Sequence, residues 1–337
     1  MRTEALPFLV CPTCDAALAL APADVTSRAR ENDGHIMDGQ LVCAGRACRF
    51  PIQDGVPILL PGEVDSVEIE TAARFADEWT HWRGLRGYYE RQFLGWLAPL
   101  SPHDFAGKTV FEGGCGKGRH TAVVAGFGAK AIVSIDLGKS AFVAFENTRH
   151  LPNAHVVIGD LLCPPVAPVF DVAFSVGVVH HLPDPARGFD ALAARVRDGG
   201  RVAVWVYGRE NNEWITRYVD PVRSGVTAKL PPGLLRAAST VPAALVWSAI
   251  KLLAQMDPGG RVSRFPYGEY FASMHDFPFD EIHSIVFDQL VTPVAHYLPG
   301  DEVRRWFQRG GFRDTTVRWH NHYSWTGVGT IARTGPV

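Results

Sequence analysis

The chain has 337 residues, with 33 Lys and Arg against 35 Asp and Glu, so its formal net charge is −2. It is 47% hydrophobic and 20% charged, which is ordinary for a globular protein and allows one large domain plus a small one. The near-neutral charge gives no overall attraction to nucleic acid or anionic membranes. No basic segment followed by an apolar core opens the sequence, and no run of about eighteen uncharged apolar residues is evident. We therefore expect neither a secretory signal nor a membrane span, and a cytoplasmic location.

Four of the six cysteines lie in the first fifty residues, in two pairs with short spacers. Two residues between thiolates let a tight turn aim both at one tetrahedral zinc, and disulfides are disfavoured in the cytoplasm. A segment this short has little core, so a structural metal would supply stability. The alternative is a ribbon held by its apolar residues alone. The predicted zinc ligands are Cys11, Cys14, Cys43 and Cys48.

The charge of this segment bears on its function. Residues 1–60 carry five arginines, no lysine and seven acids. A ribbon that binds RNA should be basic, because phosphate contacts dominate such binding. The composition therefore favours a structural or partner-docking function for the ribbon.

A glycine-rich turn follows the strand predicted from Lys108 to Phe111 and precedes an apolar helix starting near Thr121. Its glycines, Gly114, Gly116 and Gly118, would let a ligand lie against the backbone. The dinucleotide fingerprint needs its third glycine one residue later, where Arg119 stands. This spacing disfavours a nicotinamide oxidoreductase.

Four more strands are predicted, and polar residues stand at the ends of three of them. The second strand, from Ala131, ends in Asp136, the third in Asp160, and the fourth, from Phe170, leads into His180-His181-Leu182-x-Asp184. The fifth runs from Val202 to Tyr207. Over about residues 106–207, with an ending at about 300–333, this series resembles the class I S-adenosylmethionine (SAM) methyltransferases. The N-terminal segment resembles the small Trm112-like zinc ribbon of some methyltransferases.

The resemblance implies an α/β, Rossmann-like fold with a seven-stranded mixed sheet of order 3-2-1-4-5-7-6, in which strand 7 is antiparallel. It divides the chain into five parts: a zinc ribbon (1–62), a linker with N-terminal cap helices (63–105), the SAM-binding core (106–207), a substrate-cap insertion (208–300), and a C-terminal helix with the closing strands (301–337). In such enzymes the helix before the first strand often folds over the cofactor. Arg83 or Tyr88 could then touch SAM, although an aromatic stripe packed on the core would give the same pattern.

The resemblance also implies a SAM site at the carboxyl ends of the central strands. The turn glycines would admit the methionine portion, and the acid before them would orient its amine through the backbone or water. Asp136, at the end of the second strand, would bind the ribose. Asp160 and Leu161, at the end of the third strand, would contact the adenine. The predicted cofactor residues are Glu112, Gly113, Gly114, Gly116, Gly118, Asp136, Leu137, Asp160, Leu161 and Ser175.

The loop after the fourth strand lacks the motif of exocyclic-amine methyltransferases and resembles that of small-molecule enzymes of the class. His180 or His181 is a candidate general base for a hydroxyl acceptor, since the histidine pKa lies near working pH. The alternative is that both only cap the strand and hold the loop.

The insertion from Gly208 to Gly300 is apolar between Leu230 and Met256, and the stretch from Arg223 to Arg264 has six basic residues and one acid. Such a cap suits an anionic or amphiphilic acceptor and could also contact a membrane surface. The alternative is a helical lid that simply packs on the core. The predicted substrate residues are Tyr207, His283, His296 and Tyr297.

The sequence thus predicts a SAM-dependent methyltransferase with structural zinc. It would act on an O or N atom of a small molecule, including anionic, lipid-linked or glycan-linked ones, and nucleic acid is not the expected partner. Two alternatives stay open besides the oxidoreductase: an RNA base methyltransferase that docks RNA through the ribbon, and a non-catalytic SAM-binding scaffold.

Overall fold

The computed structural model describes residues 1–21, 31–32, 34–46, 48–256 and 267–333. The end of the predicted basic stretch of the insertion, residues 257–266, lies outside the described residues. The N-terminal part begins with a 3-10 helix, Thr3–Phe8, and continues with six short strands: β1 (Leu18–Leu20), β2 (Glu31–Asn32), β3 (His35–Ile36), β4 (Gly39–Cys43), β5 (Arg49–Gln53) and β6 (Val56–Leu59).

Three helices connect this part to the core: α1 (Ser66–His81), α2 (Tyr89–Leu97) and α3 (Pro102–Phe105). The first begins where the Asp65 side chain accepts a hydrogen bond from the Val67 N–H at 2.7 Å, which satisfies a free donor of the first turn. The second buries Phe93 and Trp96 against the sheet. The aromatic spacing therefore does mark core packing along α2.

Strands and helices then alternate through the core. They are β7 (Thr109–Gly113), α4 (Arg119–Gly126), β8 (Ala131–Asp136), α5 (Ser140–Thr148), β9 (Ala154–Gly159), β10 (Phe170–Val176), a 3-10 helix (Val179–His181), α6 (Pro185–Ala194) and β11 (Val196–Tyr207). The central strands are rich in Val, Ile, Ala and Phe and almost wholly buried, as expected of parallel strands covered by helices on both faces.

The insertion is helical. It contains a π-helix (Ile215–Val219), α7 (Asp220–Gly225), a 3-10 helix (Thr227–Lys229), α8 (Pro232–Met256), α9 (Gly268–Ser273) and α10 (Phe279–Val291). The long helix packs on α10 through Leu235, which contacts Phe287 and Val291. The chain closes with α11 (Gly300–Arg309), β12 (Phe312–His320) and β13 (Ser324–Ile331).

The core strands stand in the order β9-β8-β7-β10-β11-β13-β12, and β13 is antiparallel to β11. This confirms the predicted order 3-2-1-4-5-7-6 and its antiparallel strand. The seven predicted strands form part of a larger sheet, which has eleven strands. The additional four come from the N-terminal part, whose β6 pairs in parallel with β9 through Ile58 opposite Ile158 and Leu59 opposite Gly159.

One helical stretch, Pro232–Gln255, is long and apolar enough to cross a membrane, and only 17% of its most apolar window is buried. This stretch lies in the apolar segment from Leu230 to Met256, in which Arg236 and Lys251 interrupt any uncharged run of eighteen residues. Length and composition alone do not distinguish a membrane span from a surface helix. Arg236 is ion-paired with Asp77 of α1, so the helix is attached to the domain along this side.

Candidate functional site

A cavity of about 180 Å³ opens at the carboxyl ends of β7 to β11. Its floor is the turn after β7 and the residues that end the next strands. Its walls come from one face of α1 and one face of α10, and further aromatic residues come from α2, α9 and the loop before β13. The insertion and the N-terminal helix therefore enclose the edge of the sheet at which open α/β proteins bind their ligands.

The glycine turn has a backbone that requires glycine. Gly114, Gly116 and Gly118 have φ angles of +83°, +52° and +80°. A Cβ on Gly114 would lie 2.3 Å from the Val178 side chain, and one on Gly116 would lie 2.9 Å from the indole nitrogen of Trp79. Gly114 and Gly116 line the cavity, whereas Gly118 packs against α5 outside it.

The acid at the end of β8 faces the cavity beside the turn. The Asp136 carboxylate accepts hydrogen bonds from Gly116 N at 2.8 Å, from Gly138 N at 3.1 Å, and from the Ser140 hydroxyl. Burial raises the pKa of Asp136 above its usual range. Leu137 lines the cavity next to it, and so do the other predicted strand-end residues, Asp160 and Leu161.

Two more predicted cofactor residues lie beneath the cavity and do not line it. The Ser175 hydroxyl donates a hydrogen bond to the Gly113 carbonyl at 2.7 Å, which ties β10 to β7. A Cβ on Gly113 would lie 2.7 Å from Leu161. The structure therefore gives Ser175 and Gly113 a supporting position behind the residues that face the ligand space.

Glu112 also lies behind the cavity, and its side chain is buried. Its Oε2 accepts hydrogen bonds from Thr121 at 2.5 Å and Ser134 at 2.9 Å. Burial raises the pKa of Glu112 to about 7. His120 Nδ1 lies 3.6 Å from Oε1, but burial holds the His120 pKa well below its usual range, so this contact is not an ion pair near neutral pH.

The raised pKa of Glu112 predicts a pH-dependent stability. The folded state binds this proton more tightly than the unfolded state, so its contribution to stability is full below pH 4.5 and is lost as pH rises through about 7. We expect Glu112→Gln to be more stable than the wild type at pH 8 by up to about 3 kcal/mol. Urea unfolding at pH 4.5 and pH 8 measures this difference. The exposed Glu63→Gln is the control, and a Glu112→Gln variant that loses stability at both pH values would refute the prediction.

The two candidate catalytic histidines lie in different surroundings. His180 is completely buried outside the cavity, with its ring 4.1 Å from that of Tyr207. His181 lines the cavity, with Nδ1 2.6 Å from the Val294 carbonyl. Burial lowers the pKa of His181 to about 4 and that of His180 well below its usual range. Both rings are therefore neutral near pH 7, and neither is a strong base.

Of the predicted substrate residues, the structure brings only Tyr207 to the cavity. His283 faces α8, where its Nε2 lies 3.0 Å from both the Ser239 hydroxyl and the Arg236 carbonyl. Tyr297 stacks behind Tyr207 with a ring distance of 5.7 Å, and His296 does not line the cavity. The sequence could not separate these positions because the course of the insertion depends on tertiary packing.

Sequence reasoning missed the polar residues that the two wall helices contribute. On α1, Glu78 is buried. One of its carboxylate oxygens accepts a hydrogen bond from the Ser284 hydroxyl at 2.6 Å. The other oxygen has no hydrogen-bond partner in the described structure. On α10, Asp288 accepts a hydrogen bond from Tyr207 at 3.2 Å, and Glu281 accepts one from Tyr89 at 2.8 Å. Burial raises the pKa of Glu78 well above its usual range and that of Asp288 to about 6. The available signal was the i, i+3, i+7 spacing of Glu281, Ser284 and Asp288, which places them on one helix face.

Aromatic side chains from β11, α2, α9 and the loop before β13 line one part of the cavity. The ring distances are 4.6 Å between Trp96 and Trp205 and 4.3 Å between Tyr270 and Tyr323. Tyr207 lies 5.6 Å from Trp205 and completes the group. All five line the cavity. They supply flat apolar surface with hydroxyl and indole groups at its edge.

The N-terminal cysteines form a second cluster, and none of them lines the cavity. Sγ atoms of Cys11, Cys14 and Cys43 lie within 4.8 Å of one another, and those of Cys14 and Cys43 are 3.4 Å apart. The N–H of Arg46 above all, and that of Gly45, lower the pKa of Cys43 to about 7. Cys48, the fourth predicted ligand, lies outside this group of three. Three clustered thiols, one of them favoured as thiolate, fit a tetrahedral metal site.

Together, the strand order, the glycine turn and the strand-end acids around one cavity define a class I methyltransferase fold. The comparisons with known proteins agree. Residues 111–204 match the methyltransferase domain model, and residues 3–55 match the model of the Trm112p-like proteins. The chain therefore contains a methyltransferase domain over residues 111–204 and a Trm112p-like domain over residues 3–55.

Curated relatives share the name tRNA U34 carboxymethyltransferase. The chain is 28% identical to that of Pseudoalteromonas translucida over 45% of this chain and 44% of the relative. It is 30% identical to that of Shewanella pealeana over 48% and 50% of the two chains, and 33% identical to that of Methylococcus capsulatus over 34% and 35%. The chain thus spans half the length of these relatives or less.

Among solved structures, a Haloferax volcanii complex of a Trm112 methyltransferase activator with a methyltransferase aligns with a TM-score of 0.45 and 12% identity, over 81% of this chain and 100% of that one. The SAM-bound magnesium protoporphyrin IX methyltransferase of Synechocystis aligns with a TM-score of 0.44 and 11% identity, over the same shares.

The named relatives modify tRNA, and this overturns our prediction of a small-molecule acceptor and of nucleic acid as an unexpected partner. The prediction rested on the net charge of the ribbon and of the whole chain, on the resemblance of the loop after the fourth strand to that of small-molecule enzymes, and on the composition of the cap. A net charge describes neither the local surface around a cavity nor the shape of the group that enters it.

Proposed function

We propose that the protein transfers a methyl or carboxymethyl group from a sulfonium donor, SAM or its carboxymethyl analogue, to a base of tRNA in the cytoplasm. The observation that supports this best is the aromatic group of the cavity: Trp96, Trp205, Tyr207, Tyr270 and Tyr323. Enzymes that modify a base take it out of the stack and hold it between aromatic side chains. Stacking of this kind contributes about 1–3 kcal/mol per base. The tRNA-modifying relatives support the same acceptor.

The donor would lie on the floor of the cavity. In this proposal Asp136 accepts hydrogen bonds from the ribose hydroxyls, Asp160 and Leu161 contact the adenine, and the glycine turn admits the methionine portion. The acceptor atom would attack the carbon on the sulfonium, and the carbon–sulfur bond would break with its electron pair moving to sulfur. The enzyme chiefly supplies alignment and a dry site.

A protonated acceptor must also lose its proton. We assign this proton to Asp288 and not to His181. The pKa of Asp288, raised to about 6, is close to the value at which a base works well at neutral pH, whereas that of His181 is lowered to about 4. One oxygen of Glu78 is buried without a partner in the described structure, so it is available to a ligand in the cavity.

We also propose that zinc occupies the cysteine cluster. Ideal tetrahedral zinc places its sulfur ligands about 3.8 Å apart, and the three clustered thiols all lie within 4.8 Å of one another. Cys48, whose thiol interacts with that of Cys11, is the fourth candidate ligand. Since β6 continues directly into the sheet edge beside Asp160, the metal would stabilise that edge.

The test uses tRNA from a strain that lacks this gene, so that the acceptor is unmodified. Purified protein is incubated with labelled SAM and, separately, with its carboxymethyl sulfonium analogue, and RNA, protein, lipid and small-molecule fractions are counted. We expect label in tRNA, recovered in one nucleoside after digestion. Tyr270→Ala should lower transfer about tenfold or more by removing a stacking face, and the exposed Tyr218→Ala is its control. Label confined to the small-molecule fraction with both donors would refute the proposal.

A further inference from the structure

We propose that two copies of this chain pair through the outer face of α8, with the two helices antiparallel. The residues that form this face do not line the cavity. The inference therefore goes beyond the proposed function, and it depends neither on the donor nor on the acceptor.

The first argument is the exposure of large apolar side chains on α8. Of the eleven large apolar side chains that are exposed in the described residues, eight belong to the insertion and four of these to α8. The exposed fractions of the four lie between 56% and 68%. Soluble monomers rarely leave a large contiguous apolar patch exposed, and such a patch marks an interaction surface. The four residues are Leu234, Val241, Leu245 and Leu252.

The second argument is the spacing of exposed residues along the helix. Two small exposed residues, Ala238 and Ser248, lie between the four large ones, and the six form the outer stripe of α8. Successive members of the stripe are separated by four, three, four, three and four residues. Alternation of threes and fours is the spacing with which one helix packs along another in a coiled coil. The opposite face of α8, with Leu235 and Ile250, is buried against the chain's own domain.

The third argument is the absence of charge from the outer stripe. The helix carries two charged residues, Arg236 and Lys251, and both are bound to the chain's own domain. Arg236 is ion-paired with Asp77, and Lys251 Nζ donates a hydrogen bond to the His275 carbonyl at 2.6 Å. A surface that binds RNA or anionic lipid headgroups needs cations that face the partner. An uncharged apolar face instead complements another uncharged apolar face.

The fourth argument is that the stripe has the same pattern in both chain directions, so it is complementary to itself. In an antiparallel pair centred midway along the stripe, Leu234 lies opposite Leu252 of the second copy. In the same way, Val241 lies opposite Leu245, and the two small residues lie opposite each other. A two-fold axis requires such a surface, because both copies contribute the same residues to the contact. This property identifies a second copy of the chain as the partner.

Electrostatics favour the antiparallel direction over the parallel one. A parallel pair would place Lys251 beside Lys251 of the second copy. In the antiparallel pair the two lysines are about 24 Å apart along the axis, at ~1.5 Å of rise per residue. The helix dipoles also oppose each other in this arrangement, which brings the positive end of one helix to the negative end of the other.

The size of the stripe sets the expected strength of the pairing. From Leu234 to Leu252 the helix rises about 27 Å, and a helix is roughly 10 Å wide. A standard protein interface covers about 800 Å² on each partner, which is more than one helix face of this length offers. We therefore expect a reversible dimer with a dissociation constant on the order of ten micromolar.

The first experiment is sedimentation equilibrium of the whole chain over a concentration range that spans this constant. Leu245→Glu places one carboxylate from each copy in the apolar contact beside the two-fold axis. We expect it to weaken association at least about a hundredfold, because the charge is buried without a partner. Val169→Glu, at an exposed apolar residue outside the insertion, is the control and should associate as the wild type does. Calorimetric titration with SAM should give one affinity for all three proteins, which shows that the variants are folded.

The second experiment tests the direction of the pairing by cross-linking. Leu234→Cys and Leu252→Cys are prepared separately and treated with a short bifunctional thiol reagent, alone and as an equal mixture. The wild type measures the background from the native cysteines. In the antiparallel pair the two substituted positions face each other, whereas identical positions lie about 27 Å apart. We therefore expect linked dimer in the mixture and only background in each variant alone.

Three results would overturn the inference. One is a wild-type chain that stays monomeric at every concentration, including the case in which it binds vesicles of phosphatidylcholine and phosphatidylglycerol through this face. Another is a dimer that Leu245→Glu leaves intact, which would mean that a different surface pairs. The last is efficient cross-linking of each single-cysteine variant with itself, which requires parallel helices.

Discussion

Replacing Asp136 by Ala should weaken SAM binding by about a hundredfold or more. The carboxylate would accept two charge-assisted hydrogen bonds from the ribose, each of which contributes about 1.5–3 kcal/mol. It also holds Gly116 N and Gly138 N, so its removal would loosen the turn that admits the methionine portion. Calorimetric titration with SAM measures the loss directly.

Asp184→Ala is the matched control for this variant. Asp184 ends another strand-to-helix connection and caps α6 by accepting a hydrogen bond from Arg187 N at 3.0 Å, but it does not line the cavity. We expect this control to lose about 1 kcal/mol of stability with no change in SAM affinity. Asp136→Asn should fall between wild type and Asp136→Ala, because an amide keeps one acceptor oxygen. Wild-type affinity in Asp136→Ala would refute the proposed placement of the donor.

The floor of the cavity could be predicted because its residues are local to each strand end. Gly114 must be glycine because of its φ of +83° and the Val178 side chain beside it, and a short turn of this kind leaves a clear sequence pattern. Asp136 follows a run of five buried residues, so its position at the strand end is also evident from the sequence. Parallel strands then bring all such ends to one edge.

The walls could not be predicted in the same way. Glu78 and Ser284 are separated by 206 residues in the chain, yet their side chains are 2.6 Å apart. This contact depends on how α10 packs against α1 at the end of a long insertion, and no local pattern encodes it. The histidines of the insertion drew attention because of their chemistry, whereas burial and packing placed His283 against α8.

The pairing of the N-terminal domain with the edge of the core sheet could not be predicted from the sequence either. Its sequence predicted a small separate ribbon, but β6 adds its strand to β9 and so covers an edge that would otherwise be open. A parallel pairing between two sequence-distant segments leaves no signature in either one. The pairing of β6 with β9 gives the acidic N-terminal domain a structural function. The domain supports the strand that ends beside Asp160.

Replacing Cys43 by Ser should abolish zinc binding and destabilise the ribbon. Cys43 is buried at the centre of the thiol cluster, and structural zinc contributes on the order of 10 kcal/mol of binding free energy in small zinc domains. Metal analysis of the purified protein should find one zinc per wild-type chain and close to none in the variant. Limited proteolysis should then cleave within residues 1–62, while the core stays intact. Cys163→Ser, outside the ribbon, should keep both the metal and the resistance to protease.

Because β6 would lose its support, we also expect weaker SAM binding in Cys43→Ser, but by less than in Asp136→Ala. A variant that keeps its zinc, or a wild-type ribbon that resists protease equally well after chelation, would show that apolar packing alone holds this domain.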